Sequence, residues 1–355
     1  MAGKPLGNGT AAPNRRVTVF IPAYNVEAYI AEAIESVLAQ TFTNFTLLII
    51  DDASTDNTLS VIQSYTDDPR LQVVTHEQNL GRPVTRNEGL DLARTEFIAF
   101  LDADDKCTTQ RLARQVSYLD SHIDIDGVGS WKTCIDEKGC PAPEGVRKYP
   151  LGHHEIACQM LVECPIGQTS LTMRLNAFAR YRYDVEFVVA QDYELWARMI
   201  ETCRFANLPE ALTYYRQHPK QSSSTKSHTQ RTMDLEIYGR QIDRLGVRNA
   251  THDLLMHERF FKFSSRDSVL EHTGKPLDIE YVRWARRWLG ALREGNAKNR
   301  IYPEPEFSRT LSARWLFAAR KAVRNSGPWL VALELIKCKL TLVALIHPAL
   351  QFKKT

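Results

Sequence analysis

One repeated order constrains this chain more than anything else: a short apolar run, a polar or acidic end, then residues at helical spacing. Val17-Thr18-Val19-Phe20-Ile21 is β-rich and stops at Pro22. Val26, Tyr29, Ile30, Ala33, Ile34, Val37 and Leu38 then recur on one helical face, with Asn25 placed to cap them. Thr46–Ile50 is a second apolar run, closed by Asp51-Asp52. Leu71–Thr75 is a third. Gly81 and Pro83 open another helix, since proline is tolerated in a first turn. Phe97–Leu101 is a fourth run, closed by Asp102-Ala103-Asp104-Asp105, and Leu112, Val116 and Leu119 mark the helix after it. Apolar strands separated by helices predict a mostly parallel sheet covered on both faces. In such sheets ligands bind at the C-terminal ends of the strands. Asn25, Asp51-Asp52 and Asp102 to Asp105 all fall there, so three distant polar clusters are expected to converge.

The chemistry of those clusters narrows the options. Three carboxylates within four residues, just past a buried strand, repel one another. A hard divalent cation such as magnesium or manganese relieves that repulsion and completes its shell with phosphate oxygens and water. The competing explanation is a solvated turn that caps the next helix, with Asp105 near its positive end. Asp51-Asp52 allows two uses as well. An aspartate at a strand end accepts from the N–H edge of a base, or it bonds its own backbone in a turn. Beyond Trp131 the pattern loosens. Residues 132–190 carry Gly, Pro and several loops, and a clear helix returns at Asp192, with Leu195, Trp196, Met199 and Ile200 on one face.

Taken in order, these motifs resemble family 2 glycosyltransferases of the GT-A fold. The resemblance is carried by Val19-Phe20-Ile21-Pro22-Ala23-Tyr24-Asn25, Ser36 to Phe42, and Asp51-Asp52-Ala53-Ser54-Thr55-Asp56-Asn57-Thr58. Asn79-Leu80-Gly81, Arg86-Asn87-Glu88-Gly89 and Asp102 to Asp105 continue it. Cys164 to Ser170, Gln191-Asp192-Tyr193-Glu194-Leu195-Trp196 and Tyr215-Arg216-Gln217-His218-Pro219 extend it to residue 225 or so. No single motif is decisive, but the ordered set is specific.

The resemblance implies an α/β GT-A fold with a C-terminal, mainly helical extension. It also implies an inverting transfer of a sugar from a nucleotide-sugar, a UDP-sugar being the expected donor, to a glycan or lipid-linked acceptor. Pro22, Ala23, Tyr24, Asn25, Asp52, Arg86, Asp102 and Ala103 would line the nucleotide site, with Asp52 on the base. Asp104 would hold Mg2+ or Mn2+, with Asp105 as the alternative ligand. Asp192 would be the general base. Its place at a helix start favours the ionised carboxylate that such a base needs, although a plain N-cap has the same address. Trp131, Gln168, Gln191, Trp196 and His218 are candidates for the acceptor side. His218 could instead approach the metal or serve the loop. Three positions depart from the family's habit: Gln191 stands where Glu is common, Cys164 where Asn is, and Ala53 where Gly is.

The rest of the chain bounds the setting. The 355 residues allow one large α/β domain plus an appendage. We read residues 1–16 as a flexible tail, 17–225 as the catalytic domain, and 226–355 as a helical, basic region after a Gln221-to-Ser227 linker. Residues 281–355 hold 15 Lys/Arg against 4 Asp/Glu, whereas the first 280 hold 30 against 38. An acidic body with a basic end points to an anionic partner such as a membrane surface. Leu311–Val323 and Pro328–Ile346 are amphipathic or apolar, but Glu334, Lys337 and Lys339 make the latter a poor membrane span. It fits an interfacial helix, or equally a helix packed on the catalytic domain. Nucleic acid is not an expected partner. Seven cysteines, an odd number without a Cys-x-x-Cys pair, predict neither a zinc site nor a disulfide framework, and fit a cytoplasmic protein. Two other functions compete. A sugar-nucleotide pyrophosphorylase would need a Gly-rich phosphate loop where Pro22-Ala23-Tyr24-Asn25 stands. A non-catalytic nucleotide- or glycan-binding module remains compatible with Gln191.

Overall fold

The computed structural model describes residues 4–6, 15–219, 221, 227–262 and 278–341. They divide into two compact units. One holds the chain up to His153 together with Pro165–Gln230, and the other holds His154–Cys164 together with the chain from Arg231.

The first unit is built on a ten-stranded sheet. Its elements are β1 (Lys4–Leu6), β2 (Val17–Ala23), α1 (Ile30–Leu38), β3 (Phe45–Asp51), α2 (Thr58–Gln63), β4 (Leu71–Thr75), α3 (Arg82–Leu92), β5 (Phe97–Phe100), β6 (Lys106–Cys107) and α4 (Arg111–Ser121). They continue with β7 (Gly127–Ile135), β8 (Pro141–Arg147), α5 (His153–Gln159, which crosses into the second unit), β9 (Thr172–Arg174), α6 (Gln191–Met199) and β10 (Phe205–Arg216). The strand order is β1-β4-β3-β2-β5-β9-β7-β10-β6, with β8 added to β7. β4, β3, β2 and β5 are parallel, as the apolar runs predict, and β2 and β3 are buried along nearly their whole length. α3 lies close on β2. A Cβ on Gly89 would fall 2.5 Å from the Phe20 ring, so this helix needs a glycine there.

β9 runs antiparallel between β5 and β7 and breaks the parallel series. The junction is held by two buried side chains of α4. Arg111 donates to the carbonyls of Phe100 and Leu171. Gln115 donates to Val128 and Ser170 carbonyls and accepts from the Thr172 hydroxyl. The loose pattern over residues 132–190 points to loops, yet the end of β7 and all of β8 and β9 lie there, and β10 follows beyond it. Their runs mix small, polar and aromatic residues, as in Gly127-Val128-Gly129-Ser130-Trp131-Lys132, so neither a helical nor a strictly alternating period stands out.

Two loops at the ends of β2 and β3 brace each other. Asn25 and Ala53 both have left-handed backbones, with φ of 51° and 59°. The Asn25 side chain accepts from the Thr55 amide at 2.8 Å, and the Asn25 amide donates to the Ser54 hydroxyl at 3.0 Å. Asn25 therefore braces this loop, and Tyr29 stands at the helix cap instead. Asparagine tolerates that conformation, whereas alanine adopts it only with strain.

Of the expected N-terminal tail, residues 1–3 and 7–14 lie outside the described residues, and Lys4–Leu6 pairs with β4. Residues 222–226 of the expected linker and 342–346 of the expected apolar helix also lie outside them.

The second unit is helical: α7 (Ser227–Arg244, from Arg231 onward), α8 (Thr251–Lys262), α9 (Ile279–Asn299), α10 (Glu306–Ser326) and α11 (Pro328–Ile336). Its inserted segment is held by its own carbonyls. Gln241 donates to Met160, Tyr238 to Val162, and His257 to Leu161. His257 is fully buried, and its other nitrogen accepts from Trp288 at 3.1 Å. Burial lowers its pKa to about 4, so the ring is neutral in the fold.

Two predictions follow from these local geometries. Ala53→Gly relieves the left-handed alanine and should raise the melting temperature, by about 1 kcal/mol of stability less the backbone entropy that glycine adds; calorimetric unfolding checks this, and a lower melting temperature would contradict the strain. An unfolded histidine binds a proton near its ordinary pKa, whereas buried His257 does not until about pH 4. Stability should therefore fall as pH drops from about 6.5 towards 4, and this slope should shrink in His257→Gln when unfolding is followed by Trp fluorescence.

Candidate active site

The acidic loop after β5 is assembled by two buried arginines from distant segments. Arg86, on the inward face of α3, donates to Asp102 at 2.8 Å and lies over the Tyr183 ring at 5.6 Å. Gln168 donates to the Tyr183 hydroxyl at 2.8 Å, and the Asp102 amide donates to Thr169 at 3.2 Å. The loop at residues 167–170 is thus tied to both Arg86 and the carboxylates. Arg216, at the end of β10, is fully buried. Its backbone amide donates to Asp105, and its guanidinium to the carbonyls of Asp104 and Glu137 and to Glu32.

The three aspartates therefore differ in kind. Asp102 is partly exposed and paired with Arg86. Asp104 is partly exposed, and His218 meets it at 3.0 Å. Asp105 is buried and turned onto the Arg216 backbone, and its second oxygen has no partner. Burial, with the charges of Asp104 and Asp102 adding to it, holds the Asp105 carboxyl well above the usual carboxylate range. Of the two carboxylates expected to hold a cation, Asp104 is the partly exposed one and is bonded to the nearly buried His218 side chain, while Asp105 supports the loop from behind. A partly exposed carboxylate such as Asp104 suits magnesium or manganese, which take few protein ligands and keep phosphate oxygens and water. Among the described residues no group of three His, Cys, Asp or Glu forms a closed metal cage.

Asp52 sits across the loop from Asn25 and is nearly saturated. It accepts from the amides of Leu80 and Gly81 at 2.8 and 2.9 Å and meets His76 at 2.7 Å. The other nitrogen of His76 meets Glu88 at 2.7 Å. Burial opposes the charge of His76, but these two carboxylates outweigh it and raise its pKa. Asp51 is buried with one oxygen unpartnered, and burial raises its pKa. Pro22, Ala23 and Asn25 line the neighbouring strand end, with Tyr24 half exposed. Ala103 is buried under the acidic loop.

Asp192 is the second residue of α6, after Ala190 in a left-handed N-cap position. Burial raises its pKa. Arg86, the Tyr193 amide and Lys132 oppose that, and Asp102 adds to it. Arg82 lies in the field of Asp102, Asp104 and Asp192 together. Asp102, Asp104 and Asp192, from segments some 90 residues apart, thus share one electrostatic neighbourhood.

The remaining candidates divide. Trp131 is part-exposed, with Lys148 over its ring at 5.1 Å. Gln191 is buried, and Gln168 is buried with one side-chain oxygen unpartnered. Trp196 is fully buried among Phe100, Phe178, Tyr183 and Phe205, so it shapes the floor and cannot meet an acceptor. The sequence had marked it by its motif, but its helical spacing with Leu195 and Met199 already indicated a core position. Reasoning from sequence passed over His76, Tyr183, Arg82, Lys132 and the stapling role of Arg216. Arg216 stood inside a quoted motif, but nothing in its neighbours tells a buried arginine from a solvated one.

Comparison with known proteins agrees with this architecture. The model of glycosyl transferase family 2 matches residues 18–180. An uncharacterized glycosyltransferase of Haemophilus influenzae is 34% identical over 223 residues, which are 60% of this chain and 69% of that protein. The Escherichia coli protein WfgD, a UDP-Glc:alpha-D-GlcNAc-diphosphoundecaprenol beta-1,3-glucosyltransferase, is 31% identical over 185 residues, or 52% of this chain and 70% of that protein. Among solved structures, S. aureus TarS (residues 1–349) in complex with UDP superposes with a TM-score of 0.54 at 19% identity, covering 95% of this chain and 93% of that one. The mannosyltransferase PcManGT of Pyrobaculum calidifontis, in complex with GDP-Man and Mn2+, gives 0.53 at 17% identity, with 87% of each chain covered. The structural likenesses speak to the GT-A fold, and the sequence relatives to the activity class: this chain belongs to glycosyltransferase family 2 and is a glycosyltransferase.

Proposed function

We propose that the chain transfers a sugar from a nucleoside-diphosphate sugar, with a UDP-sugar first in order, to a hydroxyl of a glycan or lipid-linked acceptor, with inversion at the anomeric carbon. The observation that carries this reading is the shared field of Asp102, Asp104 and Asp192. In this reading the nucleotide occupies the end of β2 and β3, between Pro22–Asn25 and Asp52, with Arg86 and Asp102 beyond it. TarS with UDP and PcManGT with GDP-Man, alike in fold, are known as nucleotide and nucleotide-sugar complexes, which supports such a donor here. Magnesium or manganese held by Asp104 and His218 would neutralise charge on the leaving diphosphate. Asp192 takes the proton of the attacking hydroxyl. Burial raises its pKa, while Arg86 and Lys132 favour the ionised form that a general base needs.

A membrane-facing role for the C-terminal region belongs to the same proposal. α11 exposes Trp329, Leu330, Leu333 and Ile336 beside Lys337. An exposed apolar strip flanked by lysine suits the headgroup region of an anionic bilayer, where a lipid-linked acceptor would be found. Among the described residues no helix is long and apolar enough to cross a membrane.

Asp192→Asn should keep nucleotide binding, measured by calorimetry with UDP and manganese, and lose sugar transfer by about 100-fold or more. The wild-type rate should fall as pH drops through the Asp192 pKa, with an acid limb above the usual aspartate range. An active Asp192→Asn enzyme removes the base assignment. In parallel, Asp104→Asn should raise the manganese concentration needed for half-maximal UDP binding. For the membrane, co-sedimentation with phosphatidylglycerol vesicles should drop in Trp329→Ser/Ile336→Ser, and equal co-sedimentation ends that idea.

A further inference from the structure

The hairpin of β7 and β8 carries a charge arrangement that the donor chemistry does not use. Lys132 and Arg147 are direct cross-strand partners, so two cations stand opposite each other in one ladder. Like charges so placed repel. Lys132 is only 6% exposed, which makes the repulsion harder to screen. Neither has an ion-pair partner among the described residues. Instead they share an aromatic ring. Lys132 Nζ lies 4.2 Å from the centre of the Tyr215 ring, and the Arg147 guanidinium lies 5.3 Å from it. The Tyr149 ring is 5.7 Å from Lys132 Nζ.

The backbone makes room for this lysine. A Cβ on Gly167 would stand 3.2 Å from both Cε and Nζ of Lys132, so a side chain there would press on the ammonium. Gly167 begins the loop that carries Gln168 and Thr169 to Tyr183 and Asp102. Lys132 also lies in the field of Asp105 and Asp192. By position in the sheet the hairpin stands apart from the strand ends proposed for the nucleotide. β9 separates β7 from β5, whereas Asn25, Asp52 and Arg86 belong to β2, β3 and α3 on the other side.

Two cations without an ion-pair partner among the described residues thus mark the hairpin, Lys132 buried beside Tyr149 and in the field of Asp105 and Asp192, and Arg147 at the surface. We infer that Lys132 and Arg147, with Tyr215 between them, are a subsite for a phosphate group of the acceptor, so that the accepted hydroxyl belongs to a phosphorylated glycan or a glycosyl phosphate. This deepens the glycosyltransferase reading and rests on it. Arg147 would make the first contact and Lys132 the buried one, setting the distance from the phosphate to the hydroxyl that reaches Asp192.

The test uses the full chain and inorganic phosphate as probe. Protein saturated with UDP and magnesium is titrated with phosphate, followed by tyrosine and tryptophan fluorescence. Saturable binding is expected, weakened about tenfold in Arg147→Gln and more in Lys132→Gln, with Lys132→Arg restoring part of it. Arg147 is exposed, so its variant should fold even if Lys132→Gln does not. No saturable binding, or binding unchanged in Arg147→Gln, overturns the subsite. Phosphate that displaces UDP, with the displacement lost in Arg147→Gln, assigns the cations to the donor diphosphate and also overturns it. Failure of UDP to bind at all, seen in the reference titration, counts against the donor reading instead, and the phosphate titration then reads the cations by itself.

Discussion

Carboxylates gathered at a sheet edge have to be held together against their own repulsion. In this protein two buried guanidiniums do that. Arg86 reaches Asp102 from α3, and at the end of β10 the Arg216 guanidinium donates to the Asp104 carbonyl and to Glu32 while its backbone amide donates to the Asp105 carboxylate. Each is withdrawn from water and donates to the loop or its neighbours, although Arg86 Nε is left without a partner. Removing one member of such a buried pair typically costs about 3–5 kcal/mol, since a charge is left without compensation. The loop geometry therefore depends on contacts made across more than 100 residues of chain. The same contacts sort three adjacent aspartates into different tasks. Pairing leaves Asp102 oriented, His218 leaves Asp104 accessible, and burial turns Asp105 into a support.

A second buried system governs the other strand end. Asp52 accepts two amides of the residues leading into α3 and meets His76, which Glu88 holds from behind. The beginning of α3 is thereby tied to the end of β3, and Arg82 and Arg86 follow on that same helix. Orientation of the cations and anchoring of Asp52 are one structural event. The tyrosine and glutamine layer beneath, Gln168 to Tyr183 to Arg86, carries the constraint across to the second half of the sheet.

Much of the first half was legible in the sequence because its strands are fully buried and continuous. Val17–Ile21, Thr46–Ile50, Leu71–Thr75 and Phe97–Leu101 fall within a residue or two of the observed strands. The helices at 112 and 192 were equally plain, since each has one apolar stripe. The second half was not legible. β7 and β10 bury small and polar residues such as Ser130, Thr213 and Asn207, and the Asn207 side chain finds its partners only in the Pro150 and Pro165 carbonyls that the fold brings near. The site shows the same division. Acidic residues at strand ends announce themselves by type and spacing. Their partners, Arg216, His76 and Tyr183, are ordinary residues until the fold brings them near. Ala53 illustrates a third situation: the left-handed turn that glycine usually serves is retained with alanine, so the loop keeps its course at the cost of strain.

The segment from His154 to Cys164 has a topological consequence. It interrupts the first unit in sequence but belongs to the second, where Gln241, His257 and Tyr238 cover three successive carbonyls. The chain therefore crosses between the units three times rather than once. A fragment ended at residue 230 would keep every strand yet strand Ile156, Met160 and Leu161 without their covering helices, baring both apolar side chains and backbone oxygens. The helical part cannot be understood as a module simply appended behind a finished catalytic domain. Grafting it onto another scaffold would require moving two pieces of chain together, and swapping it between relatives would succeed only if the short internal piece travels with the long terminal one.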